Sequence, residues 1–457
     1  MAPQCTKSTS TLLRYRVGTL AMALIVSAAG GLAWNGAPVL ASKKPVSIQF
    51  WNPATGTVSQ KVMTALVNRF NATHPLIHVV NKPVSSANNF VKYVTAITSG
   101  SPPNVIMTYY GWQMSAWRAD NLLQPLNKYI GQNHISLAKY FPAVYKFMKF
   151  HGQIYGLPQE VDEPLLAWNK TLFKRAGLNP NAPPKTIAQL TLDAKRLTIV
   201  KNGRLQQVGL NPSNRWGNNV WVHFFGGDWY NYKANRISAD TSANIRAYTW
   251  MKSMYDFLGG YAKAEAFDAG FKNLTTSVGG NPFYTGKEAM ETMGEWVPSY
   301  ISLEAPHLNY GVAPLPVGPG VKYGSVQFIS PGNFFVLPRG ATHVKQSLIF
   351  MKWMASPYAV YYWCIHEGNL PPAPSMAFSA YFWKHDAKDR PWVNAIKHAT
   401  IPSPQTAIPT VSYYQTTRTA IGQEIMLGTL SPKKGLEKLQ AEASQNLRQF
   451  LSTHPGS

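Results

Sequence analysis

At 457 residues the chain is long enough for two domains, and its 45% hydrophobic and 12% aromatic content excludes a disordered polypeptide. Its two cysteines, Cys5 and Cys364, support neither a disulfide framework nor a thiolate metal site. A formal charge of +23 points first to nucleic acid, but the basic residues are scattered singly and form no stripe.

Residues 1–41 read as an export signal. Lys7, Arg14 and Arg16 precede the apolar run VGTLAMALIVSAAGGLAW (residues 17–34), and Val39-Leu40-Ala41 offers a small-residue cleavage site. The run also approaches the length of a membrane span, so an uncleaved anchor is the alternative. Removing the segment takes away three basic and no acidic residues and leaves +20. An exported chain so poor in carboxylates suits an acidic habitat, where carboxylate protonation usually destabilises folds; attraction to an anionic envelope is the other reading.

The following segment opens with the alternating strand Val46–Trp51. Thr57 and Gln60 have capping-box spacing, and Val62, Met63, Leu66 and Phe70 form one helical face that stops at His74-Pro75. Ile77–Val80 is a second strand. Phe90, Val91, Val94 and Ile97 mark a second helix ending at Ser99-Gly100, and Asn104–Tyr110 is a third strand. This βαβαβ order predicts a doubly wound α/β lobe, with ligand beyond the carboxyl ends of its strands. Those ends carry Trp51, Asn52, Tyr109, Tyr110 and Trp112. They are aromatic and amide-rich and lack a phosphate-binding glycine loop; the cluster Gly318, Gly320 and Gly324 has the wrong spacing and an intervening proline. Rings for stacking and amides for hydrogen bonding suit a sugar.

Residues 156–163 lead as an extended crossover into a strand. The segment WGNNVWVHFFGGDWY (residues 216–230) reads as either core or a ring-lined platform. A turn-rich connector follows at 314–320. Leu436, Leu439, Ala443, Leu447 and Phe450 predict a docked C-terminal helix.

Several motifs carry a resemblance: SGSPPNV (99–105), LQPL (123–126), YGLP (155–158), AWNKTLFKRAGL (167–178), AMETMGEW (289–296), APLPVG (313–318) and HEGNLPP (366–372). In this order and spacing, from about residue 45 to 452, the chain resembles the extracellular solute-binding proteins that feed ABC importers, in the sugar-binding group related to maltose-binding protein. The resemblance implies a type II periplasmic-binding-protein-like α/β fold, with two lobes joined by hinge crossovers around a ligand cleft. By analogy, 42–159 and 315–367 form the N-lobe, and 160–314 and 368–457 the C-lobe.

Two positions depart from the family pattern. Asn104 replaces an aspartate after the proline pair, where either residue can cap. Glu295 replaces the proline before Trp296. Facing the cleft, Glu295 would accept from sugar hydroxyls or an amine and repel phosphate; otherwise it serves in a salt bridge or cap.

In the family's frame, Trp216 and Asn219 would face the cleft, with Trp221, Phe224 and Phe225 packed inward and Gly226-Gly227 turning close to the site. Trp296 is the expected stacking residue. Glu160 and Asp162 at the first crossing, Gly332 and Asn333 at a glycine turn, Asn369 at the last crossing, and Tyr413 complete the expected ligand-binding set.

Three functional readings stand at this point. The first is a carbohydrate-binding protein that delivers its ligand to ABC permease subunits. It would be a monomer outside the cytoplasm, with no cofactor, metal or nucleic acid, and would touch the membrane only through the permease or an uncleaved anchor. The second is a glycerol 3-phosphate or glycerophosphodiester binder, for which Arg215 is the candidate phosphate ligand. The third is a glycoside hydrolase using two carboxylates such as Glu160 and Glu295; no HExxH, GxSxG, CxxC or P-loop pattern occurs.

Overall fold

The computed structural model describes residues 44–85, 89–132, 136–213, 217–272, 281–399 and 408–454. In chain order, β1 (Val46–Asn52), α1 (Thr57–Thr73), β2 (Ile77–Pro83), α2 (Asn89–Thr98), β3 (Val105–Met107) and α3 (Gly111–Ala119) form the doubly wound unit read from the sequence. The third strand is shorter than expected, because α3 begins directly after Tyr110. Thr57 is also not a cap: extended Gly56 occupies that position and makes no side-chain bond, leaving Thr57 as the first helical residue.

Strands β4 (Gly156–Pro158), β5 (Val161–Asp162) and β6 (Leu165–Asn169) follow, then β7 (Ile199–Lys201), β8 (Arg204–Leu210) and α4 (Gly217–Phe224). After these come β9 (Glu288–Met293), α5 (Val297–Glu304), β10 (Tyr310–Ala313), β11 (Ser330–Pro331) and β12 (Phe334–Val336). The chain closes with α6 (Pro357–Trp363), α7 (Val411–Leu427) and α8 (Pro432–Thr453). Helix α8 buries Leu436, Leu439, Ala443 and Leu447 on the face expected from their spacing.

Two five-stranded sheets result. The first runs β2-β1-β3-β12-β4; the second runs β10-β6-β9-β8-β7. In the first, β1 pairs in parallel with β2 and β3, while β12 returns antiparallel from the distant end of the chain. Ile48, Phe50, Ile106, Phe335 and Val336 are fully buried, as strands covered by helices on both faces require.

Three segments cross side by side between the sheets. Antiparallel β5 and β11 pair Asp162 with Ser330 and Val161 with Pro331. Leu370 bridges the other edge of Val161, whose N–H donates to the Leu370 carbonyl at 2.9 Å. Bending here moves one sheet against the other without breaking either core, which is the geometry of a hinge.

Candidate functional site

A cavity of about 540 Å³ opens beside the crossings, with walls from both lobes. The first lobe supplies the loop Pro53–Gly56 after β1 and the segment from Tyr109 to Trp112 after β3, both at carboxyl ends of strands. Gln113 Oε1 accepts the backbone N–H groups of Tyr109 at 2.8 Å and Tyr110 at 3.2 Å, which fixes the turn carrying both rings. The Tyr109 and Tyr110 rings meet edge-on at 4.3 Å, and Tyr110 stacks on Trp112 at 6.1 Å. The second lobe supplies half-buried Trp296 and, one helical turn on, Tyr300. Gly294 has no Cβ, and one placed there would lie 2.2 Å from Trp296 Cζ3; the missing atom is what lets the indole fold back over the strand end.

The floor is acidic. Glu160, Asp162 and Glu367 line the cavity, while Glu163 and Glu295 lie fully buried beneath it. Glu160 Oε1 accepts the Asn333 N–H at 3.2 Å, and its Oε2 accepts the Trp363 indole N–H. Glu163 Oε2 accepts the Phe328 N–H at 2.8 Å. Glu367 Oε1 accepts from Tyr300 at 3.4 Å. Burial raises every one of these carboxyls above its ordinary range. Glu160 is pushed up to about 8 by burial and then by the neighbouring Asp162, and burial followed by the facing Glu295 acts on Asp162. Lys388, a cation acting on Glu367, bonds Ser299 Oγ at 2.7 Å and stands 3.6 Å from Asp386 Oδ1. No lysine, arginine or histidine is among the described residues lining the cavity.

Of the residues expected from sequence, Tyr109, Tyr110, Trp112, Glu160, Asp162, Trp296, Asn333 and Asn369 reach the cavity. Trp51 does not: its indole donates to Gln49 at 3.2 Å and packs beside Tyr93. Asn52 is fully buried framework, accepting the Ala54 N–H and donating to Asn81. Glu295 lies beneath the surface, bonded to the Glu163 N–H and the Asn369 amide. Gly332 backs the wall: a Cβ there would meet Glu160 Cγ at 2.6 Å and Asp162 Oδ1 at 3.1 Å. Tyr413 points outward, 41% exposed, and its neighbour Gln415 lines the cavity instead.

Trp216 and Arg215 lie outside the described residues, as does the side chain of Asn219. Trp221, Phe224 and Phe225 are core. Gly227 closes against Asn244, whose Oδ1 a Cβ would meet at 1.9 Å, so this turn serves packing within the lobe.

Sequence reasoning missed Tyr300, Trp363, Glu367, Gln415, the loop residues Thr55 and Gly56, and Ser59 in the first turn of α1. Tyr300 was findable, since it falls four residues after Trp296 and therefore shares its helical face. Glu367 sits inside the motif HEGNLPP. Trp363 gave no signal, because what brings it to the site is a bond from its indole N–H to Glu160, 203 residues away in the chain.

Comparison with known proteins agrees with this architecture. The sequence profile described as bacterial extracellular solute-binding protein matches residues 54–360, two thirds of the chain. A relative from Pectobacterium atrosepticum, the sn-glycerol-3-phosphate-binding periplasmic protein UgpB, is 25% identical over 71% of this chain and 72% of its own length. Among solved structures, CpMnBP1 with mannotriose bound is 29% identical with a TM-score of 0.77, covering 87% of this chain and 100% of its own. The maltose/maltodextrin-binding domain MalE from Bdellovibrio bacteriovorus bound to maltotriose shares the fold at 17% identity and a TM-score of 0.70, over 88% of this chain and 100% of its own. The chain belongs to the bacterial extracellular solute-binding protein family.

Proposed function

We propose that the protein captures a short saccharide in the interlobe cavity, outside the cytoplasm, and delivers it to the permease of an ABC importer. The observation that carries this reading is the lining itself. Tyr109, Tyr110, Trp112, Trp296 and Tyr300 supply flat apolar faces, and Glu160, Asp162, Glu367, Asn333 and Asn369 supply hydroxyl partners. The likeness to CpMnBP1 with mannotriose bound supports a manno-oligosaccharide as the first ligand to try.

The mechanism is physical. A saccharide stacked between Tyr110 on one lobe and Trp296 on the other touches both walls only when the hinge is closed. It therefore favours the closed state by its differential affinity for the two states, and the permease reads that closed form. Residues 1–41 act as the export signal, the lobes divide at the crossings through Val161, Pro331 and Leu370, the second of these later than 314/315 because Val317 and Gly318 bond Ile187 and Phe224, and the protein works as a monomer.

The UgpB relatives favour a second reading, a glycerol 3-phosphate ligand. The lack of any lysine, arginine or histidine among the described lining residues opposes it, because a phosphate would be desolvated there without a guanidinium or ammonium to hold it. The test is a titration followed by intrinsic tryptophan fluorescence, with mannotriose, maltotriose and glycerol 3-phosphate as ligands. A saturable change with a saccharide alone supports the proposal; a change with glycerol 3-phosphate alone replaces it with the second reading.

A further inference from the structure

The acidic residues of this basic chain are unevenly placed. Of only 20, five stand at one cavity: Glu160, Asp162 and Glu367 in its lining, Glu163 and Glu295 beneath it. The chain's 43 lysines and arginines supply none of the described lining residues. Lys388 is occupied beside the cavity, donating to Ser299 Oγ at 2.7 Å and standing 3.6 Å from Asp386 Oδ1. A cleft of one charge sign in a molecule of the opposite sign focuses its field on a ligand that carries the missing charge.

The floor also lacks donors. Glu367 and Asn369 both line the cavity while being only 7% and 5% exposed, and Glu367 Oε2 and Asn369 Oδ1 have no hydrogen-bond partner. Their other polar atoms are taken, Glu367 Oε1 by the Tyr300 hydroxyl at 3.4 Å and the Asn369 amide by Glu295 at 3.2 Å. An ammonium carries three N–H donors and no acceptor, so it supplies what this floor is short of. Tyr110, Trp112 and Trp296 in the same lining add ring faces, which attract a cation through the negative face of the ring. A metal ion does not fit as the missing charge. Among the described residues no three histidine, cysteine or carboxyl groups converge to hold one, and a cavity of about 540 Å³ has the size of an organic ligand site.

We propose that the cavity selects a cationic saccharide, an amino sugar whose protonated amine sits on the floor of Glu160, Asp162 and Glu367 while its ring stacks on the aromatic wall. This rests on the saccharide reading and names the class of saccharide.

The charge balance closes. Burial raises the three lining carboxyls, so they hold protons in the empty cavity. The groups that face Glu367 are Glu160 and Asp162 from the first crossing, Tyr300 from α5, and Lys388 and Asp389 beyond the last crossing; Lys388 alone among them is a cation. An incoming ammonium ionises the carboxyl it touches, and the displaced proton leaves to solvent. One positive charge enters as one departs, and no bare anion is left in a buried site. A neutral sugar makes no such exchange.

Calorimetric titration with matched pairs tests the proposal. Each pair differs only by an ammonium in place of the hydroxyl next to the anomeric carbon: glucosamine with glucose, mannosamine with mannose, galactosamine with galactose, and the free-amine form of chitobiose with cellobiose. Mannotriose is titrated beside them. In whichever configuration binds, the amine should bind at least about tenfold tighter than its hydroxyl partner, and Glu367→Gln should narrow that ratio. Runs in two buffers of unlike ionisation enthalpy should show protons released with the amine and none with its partner. Equal affinities within the pairs, or mannotriose binding with every amine silent, would overturn the inference and leave the saccharide reading standing. Silence of every saccharide, amines included, would remove the saccharide reading and this inference with it.

Discussion

Glu295 Oε2 accepts the backbone N–H of Glu163 at 3.1 Å, and through Oε1 the same carboxyl holds the Asn369 amide at 3.2 Å. One buried side chain thus ties the first interlobe crossing to the last. Glu160 repeats the device between the first crossing and Asn333, and Glu163 does so with Phe328. The hinge is stapled by carboxylates accepting N–H groups, where apolar packing alone would leave those donors unpaired. Glu295→Ala should cost about 1–3 kcal/mol for each buried donor left without a partner, read as a lower urea midpoint. Glu295→Gln, which keeps one acceptor oxygen, should lose less; equal losses would mean that the hydrogen bonds do not matter.

Trp296→Ala removes the ring that faces the first-lobe tyrosines and should weaken saccharide binding by about tenfold or more. Tyr413→Ala, at an exposed ring outside the cavity, should leave affinity within about twofold. Calorimetry on both variants checks the pair, and a reversed order would relocate the site.

Gly332→Ala places a methyl 2.6 Å from Glu160 Cγ and 3.1 Å from Asp162 Oδ1. Both carboxyls must then move, at a cost of about 1–3 kcal/mol for overpacking. The expected signature is a loss of ligand affinity together with a lower thermal midpoint. Unchanged affinity would show that the wall tolerates displacement.

The pH dependence of stability follows from the same groups. Glu160, Asp162, Glu163, Glu295 and Glu367 all bind protons more tightly folded than unfolded. The folded state therefore holds more protons above the ordinary carboxylate range, and stability falls as pH rises through the folded values. For Glu160 the window runs from 4.5 to about 8, with an upper slope of about 1.4 kcal/mol per pH unit for each such group. The thermal midpoint should be higher near pH ~5 than near pH ~8; the opposite order would mean that these carboxyls are ionised and paired in the fold.

The fold was legible because its signals are local. Alternation in Val46–Trp51, the helical face of Val62, Leu66 and Phe70, and the stop at His74-Pro75 each lie within one element. The candidate site was legible at strand ends and in motifs, hence Tyr109, Tyr110, Trp112 and Trp296. It failed where a distant contact decides. Asn52 is claimed by Asn81 on the neighbouring strand, and Glu295 by Glu163 and Asn369 from two other crossings. Trp363, at the end of α6, is held by Glu160 from 203 residues earlier in the chain, a contact that leaves no periodic trace. Trp51 sits at the right end of its strand but on the side covered by α2, where Lys92 lies 5.2 Å above its ring.

The most direct test of the account is isothermal titration calorimetry of residues 42–457 with mannotriose and with glycerol 3-phosphate, each repeated on Trp296→Ala. The account predicts saturable mannotriose binding that Trp296→Ala abolishes or weakens by at least about tenfold, with glycerol 3-phosphate silent. Saturable glycerol 3-phosphate binding with mannotriose silent would contradict it.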